Sequence, residues 1–149
     1  MKNIGIAENY DELRSRITSL HPKSHKKWGK MSLEQMLSHC SAQLEMALGE
    51  KSSSIQGSFL MRTSVGRWLL LYTLPWPKGS ITPQEMNMLK QEAKPAEIEE
   101  RKLYLLAYLE KVQQADQLHA HPFFGNLSKA DWQRLIYKHI DHHLQQFSA

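Results

Sequence analysis

Cysteine is almost absent from the chain: Cys40 is the single one in 149 residues. That excludes an intrachain disulfide and a cysteine-rich zinc module, and it fits a reducing compartment. Long apolar runs are missing as well. The longest, WLLLYTL from Trp68 to Leu74, stops at Pro75, far short of the roughly 20 residues that span a bilayer. The opening, MKNIGIAENYDELRSR, has neither the apolar core nor the small-residue cleavage pattern of a secretory signal. The expectation is a soluble cytoplasmic protein with no membrane partner. Strand signals are lacking too, with no sustained alternation of β-branched residues and no Asn-Gly or Asp-Gly turn. There is no internal repeat, and the Gly/Ser/Pro clusters are too short to be linkers.

What is present suits one domain over residues 1–149. A hydrophobic content of 41% against 23% charged is enough to bury a core and argues against wholesale disorder. The net charge of +4 raises the question of nucleic acid. Yet the basic residues are scattered, apart from HPKSHKKWGK at His21–Lys30. A binding stripe would interleave more aromatics or recur along a helix face. We read the cluster as a solvated loop between helices, and nucleic acid is not an expected partner.

Helical signals are plentiful. Leu13, Ile17 and Leu20 mark a first helix over about Asn9–Leu20, ended by Pro22. Ser32 with Gln35 three residues later forms a capping box for a second helix, which runs to about Leu48 with Gly49 beyond it. A third, more apolar helix is expected from Phe59 to Leu74, followed by a loop at PWPKGSITP, Pro75–Pro83. The fourth spans about Ala96–Ala115, with Ile98, Leu105, Leu106 and Leu109 inward. The last runs from about Lys129 to Phe147 behind a Ser128/Asp131 cap. This predicts an all-α fold, an antiparallel four-helix bundle with an additional short N-terminal helix and long loops.

The last helix carries KHIDHH, three histidines in five residues from His139 to His143. At about 100° per residue, Trp132, Leu135, Ile136, Ile140 and Phe147 define a buried stripe. His139 and His143 fall near its middle and His142 near its edge. Lys138, Asp141, Arg134 and Gln145 take the opposite, wet face. Histidines at i, i+4 can present two imidazole nitrogens to one ion; the alternative is hydrogen bonding to carbonyls or buried water. The zincin pattern is excluded, because Ile140 stands where its general-base Glu would be. A third ligand must come from elsewhere. His39 on the second helix is a candidate, although it lies off the stripe of Leu33, Leu37, Cys40, Leu44 and Leu48. His21, His25, His119 and His121 in loops are the others. Cys40 lies in the apolar stripe, where a thiol packs rather than reacts. Met31, Met36, Met46 and Met61 read as core filler. Trp28, Trp68 and Trp132 read as packing, whereas Trp76 in its Pro-flanked loop could line a pocket mouth.

WGKMSLEQMLSHC near the front and HPFFGNLSKADWQRLIYKHIDHHLQQF at the back resemble the DinB-like superfamily of four-helix-bundle metalloproteins, over essentially the whole chain. The closer likeness is to its domain-of-unknown-function 1569 branch. The resemblance implies that one histidine of the second helix and an i, i+4 pair on the last hold a divalent metal. Here these are His39, His139 and His143, the pair being the one that the helical period turns inward. Many members follow the pair with Arg-Gly-Gln. In this chain Leu144, Gln145 and Gln146 follow, so the glutamine is kept and no ligand-orienting arginine carries over.

Three neutral imidazoles suit Zn²⁺ or Ni²⁺ and leave a position open. Characterised members of the superfamily use low-molecular-weight thiols. The resemblance therefore implies a metal-dependent transferase that activates a small thiol toward an electrophilic substrate. No catalytic side chain is identified. The competing expectation is a non-catalytic bundle whose histidines, or a metal on them, stabilise the fold or a homodimer.

Overall fold

In the computed structural model the described residues are 2–76, 87–90 and 97–149. They are helical, with no strand among them; the only extended pairing is an isolated bridge between His121 and Gly125. Helices α1 (Ala7–Ser19) and α2 (Leu33–Ala47) precede a broken segment. There a 3-10 turn, Phe59–Arg62, leads into a five-residue α3 (Ser64–Trp68), which widens into a π turn, Leu69–Thr73. After a further 3-10 turn, Met88–Lys90, come α4 (Ile98–Gln114) and α5 (Lys129–Gln146).

The helix ends follow from local chemistry. Ser32 and Gln35 form the reciprocal capping box of α2, side chain to backbone in both directions. At its other end Gly49 takes φ +76°, and the amides of Gly49 and Glu50 return to the carbonyls of Met46 and Glu45, a Schellman closure. A Cβ at Gly49 would also strike the His119 ring. Ser128 accepts from the Asp131 amide to start α5. The sequence places these boundaries within two residues, except that an Ala96 start of α4 lies outside the described residues, as does most of the Pro75–Pro83 loop.

The core is built where the four long helices meet. α2 packs most extensively on α4 and also on α5, while α1 packs on both α5 and α4. The N-terminal helix is therefore part of the packing rather than an addition to it. Arg16 ties α1 to Asp141 at 2.7 Å and to the Ala149 carbonyl. Lys102, buried on α4, donates to the last carbonyl beyond α1, that of Leu20, at 2.8 Å, where a cation also meets the negative end of the helix dipole. Trp132 is fully buried and gives its indole N–H to the His119 carbonyl.

Two expectations need correction. Phe59–Leu74 is not a continuous core helix: of its apolar side chains only Leu71 is buried. Arg134, Lys138 and Asp141 are half-buried rather than wet. The broken segment and α1 cover that side of α5: Lys138 donates to the Leu70 and Leu74 carbonyls, Arg134 lies over Tyr72, and Asp141 meets Arg16.

Candidate metal centre

The i, i+4 spacing on α5 stacks His139 above His143, and the α2–α5 contact brings His39 against both. The phase of His39 on its own helix is misleading because α2 is covered on nearly every side. His39, Ser41 and Gln43 are buried along with the apolar stripe. The three rings converge through the same atom. Nε2 of His139 lies 3.0 Å from Nε2 of His39 and 3.2 Å from Nε2 of His143. One ligand nitrogen from each residue lies within 4.8 Å of the others, so the group could hold a metal ion. Bonds of about 2.0–2.1 Å place two histidine nitrogens roughly 2.9 Å apart at a right angle and about 3.4 Å apart at the tetrahedral angle. The two closest separations fall inside that interval.

The donor chemistry fits as well. His143 Nδ1 meets Gln146 Oε1 at 2.8 Å. An amide oxygen only accepts, so Nδ1 carries the proton and Nε2 keeps its lone pair for the centre. Burial, with His39 adding repulsion, pushes the His143 imidazolium down to about 3 against the opposing pull of Gln146. His139 is pushed well below its ordinary value by burial first, then by His143 and His39. His139 and His143 are thus held neutral, the state that coordination requires. One atom departs from the usual pattern of a supported ligand. His139 Nδ1 is buried with no hydrogen-bond partner among the described residues, at a cost of about 1–3 kcal/mol. Packing holds this ring instead, with the Trp76 indole 5.2 Å away, centroid to centroid.

The family described as "Protein of unknown function (DUF1569)" matches residues 6–149. The chain belongs to that family. No curated protein and no solved structure matches it. The match takes in all three histidines and assigns them no role.

In this DUF1569 chain the remaining candidates separate cleanly. His21, His25 and His119 are exposed and stand outside the cluster. His121 is buried elsewhere: its Nδ1 accepts from the Phe123 amide, its ring packs on Phe124 and Trp132, and burial pushes its imidazolium down to about 3. His142 sits half-buried at the rim, 6.2 Å from Trp28 and 6.4 Å from Trp76 between ring centroids. Cys40 is fully buried, its thiol within reach of Met36 Sδ and its ionisation pushed far up by burial. It is not a nucleophile. Trp76 does reach the cluster.

Sequence reasoning gave two participants no role at the site. Gln146 shares a helix face with His143 at i, i+3, and that spacing was a usable signal. Trp28 had none. It reaches the rim because the basic loop folds onto the end of α5, where the Lys27 amide donates to the Gln146 carbonyl at 2.7 Å. A Cβ at Gly29, which has φ +93°, would press on the Gln146 side chain.

Proposed function

We propose that His39, His139 and His143 hold one divalent ion, Zn²⁺ or Ni²⁺, and that the protein is a metal-dependent transferase acting on a small thiol and a small electrophile. The observation that carries this reading is the convergence of three Nε2 atoms on one point. A histidine of α2 with an i, i+4 pair on the last helix is also the ligand pattern of the DinB-like superfamily, and we read α1, α2, α4 and α5 as its antiparallel four-helix bundle. Such an ion supplies Lewis acidity, which makes a thiol or water nucleophilic near neutral pH. The chain's own contribution is to hold His139 and His143 neutral by burial, to fix the His143 tautomer through Gln146, and to wall one side of the site with Trp76.

Elemental analysis of untagged protein, wild type against His143→Ala, tests the site. About one equivalent of Zn or Ni, absent from the variant, is expected; metal-free wild type that takes up neither ion would end the proposal. A second reading has its own support. The three ligands are only 4–6% exposed, and Trp76 lies against His139, as suits a metal that only stabilises the fold. Titrating the Co²⁺-substituted protein with a small thiol separates the two: a new sulfur-to-metal absorption band marks an open site, an unchanged spectrum a structural one.

A further inference from the structure

Residues 59–76 lie against α5 as a strap rather than as part of the core. Leu71 is the one buried side chain among them, and Met61, Leu70, Tyr72 and Trp76 pack only partly against the interior. Polar ties hold the rest. Arg67 donates to the Asn126 carbonyl just ahead of α5, and the Tyr72 hydroxyl donates to Asp131 Oδ1 at 2.7 Å. The Arg134 guanidinium lies over the Tyr72 ring, 4.2 Å from its centre. Lys138 donates to the Leu70 and Leu74 carbonyls. Asp131, Arg134 and Lys138 stand at i, i+3 and i+7, so these ties run along one face of α5.

The tie to Lys138 follows from the strap's own sequence. In the π turn, Leu69–Thr73, the Leu74 amide returns to the Leu69 carbonyl. The same register asks residue 75 to supply the Leu70 carbonyl, and Pro75 has no N–H to give. The Lys138 ammonium takes that place, from the residue directly before His139. Turns of this widened kind are frequent at functional sites. An element with few buried apolar contacts, held through polar groups that water can replace, opens at far smaller cost than a core helix.

At its end the strap carries Trp76. The indole centre lies 5.2 Å from that of His139 and 6.4 Å from that of His142, and the three clustered histidines are only 4–6% exposed. An ion or a thiol must therefore displace something to reach their Nε2 atoms. α2 and α5 bear the histidines and much of the buried core, and the basic loop is tied through its backbone to Gln146. Of the described elements around the cluster, the strap is the least anchored. We infer that it is a gate. It undocks from the face of Asp131, Arg134 and Lys138 and carries Trp76 off His139, and Lys138 is its latch. Its role in admitting an ion rests on the metal reading; the opening itself does not.

Hydrogen–deuterium exchange on the full-length untagged protein, chelated throughout, tests the opening with wild type, Lys138→Met and Tyr72→Phe. In wild type the amides of residues 69–74 should exchange faster than those in the middle of α2 and α5. Lys138→Met keeps the apolar stem and removes the charge-assisted bonds. Exchange at 69–74 should then rise about tenfold, while α2 and α4 stay unchanged. Tyr72→Phe loses one hydroxyl tie; it should move the same amides by less, and it serves if the first variant does not fold. The second readout is the rate at which Zn²⁺-loaded protein yields its ion to excess chelator. Release and uptake should both quicken about tenfold in Lys138→Met with the dissociation constant unchanged, as for a gate and not for a ligand. Protection at 69–74 equal to that of α2, or faster exchange without faster release, would overturn the inference. Wild type that takes up no ion would remove the metal reading, and exchange at 69–74 would still decide whether the strap opens.

Discussion

The α2–α5 contact and the Phe59–Leu74 segment exchange the roles that polarity would assign them. The first buries His39, His139 and His143 together with Gln43 and Gln146, while the second holds some of the most apolar sequence in the chain largely in solvent. Burying histidine costs desolvation, and an apolar face left in water forgoes roughly 25 cal/mol per Å². Neither choice serves the stability of a lone monomer. A bound ion at the histidine cluster would offset the first of these costs. The difference teaches that burial in this fold follows the long helices and that function sits where burial and polarity disagree.

The sharpest way to break the comparison uses one residue type in both regions. Trp132 is fully buried and its indole is hydrogen-bonded, whereas Trp68 is more than half exposed. Trp132→Ala should cost about 3–5 kcal/mol in chemical denaturation, the range for emptying an aromatic from a core. Trp68→Ala should stay within about 0.5 kcal/mol. Equal losses would show that the segment is core after all.

Next in size is the response to metal. Zn²⁺ at about 100 times its dissociation constant should stabilise the wild type by about 2.7 kcal/mol, read as a rise in Tm over the chelated protein. His39→Ala should abolish that rise, and Phe59→Ser should leave it intact. A rise that survives His39→Ala would move the ion elsewhere.

How far the sequence foretold these two regions depends on what kind of signal each carried. His139 and His143 were legible because α5 is amphipathic and the i, i+4 period speaks for itself. His39 was legible only through the family pattern. Its helical phase points away from the α2 stripe, and no single-helix wheel shows that α4, α5 and the Met88 turn enclose α2 from several sides. The capping boundaries at Ser32 and Ser128 were local and came out as read. The Phe59–Leu74 helix misled for the opposite reason. Its apolar content signals burial but cannot say against what, and a five-residue α-helix between 3-10 and π turns leaves no long stripe to insert. Lys102 and Arg16 were silent as well, since their partners, the Leu20 carbonyl and Asp141, are distant in the chain.

Gln146 sharpens the comparison within the histidine region itself. Gln146→Leu keeps the volume and removes the acceptor that fixes the His143 tautomer. A loss of 10–100-fold in metal affinity is expected, the usual effect of removing a ligand's hydrogen-bond partner. The content of one equivalent at saturation should not change. An unaltered affinity would mean that packing alone orients His143, as it does for His139 against Trp76.

The smallest effect concerns a buried histidine that lies outside the metal cluster. His121 keeps its imidazolium at about 3, through burial first and the nearby Arg62 second, while an unfolded chain titrates at about 6.5. Below that value the unfolded state takes up a proton that the folded state refuses. The stability His121 lends is therefore complete above about pH 6.5 and falls as the pH drops toward 3, by at most about 1.4 kcal/mol per pH unit. His121→Phe should flatten the decline between pH 6 and pH 4 by about one proton, read from denaturation midpoints at each pH on chelated protein, and should lower stability near pH 8 by about 1 kcal/mol through loss of the Phe123 amide's acceptor. The same substitution should leave metal content untouched, because His121 contributes no nitrogen to the cluster. A variant with an unchanged acid slope would place the decline in other groups, His139 and His143 among them. In that case restoring the ion should raise stability without removing the acid decline, because a metal-bound imidazole also refuses the proton that the unfolded state takes up.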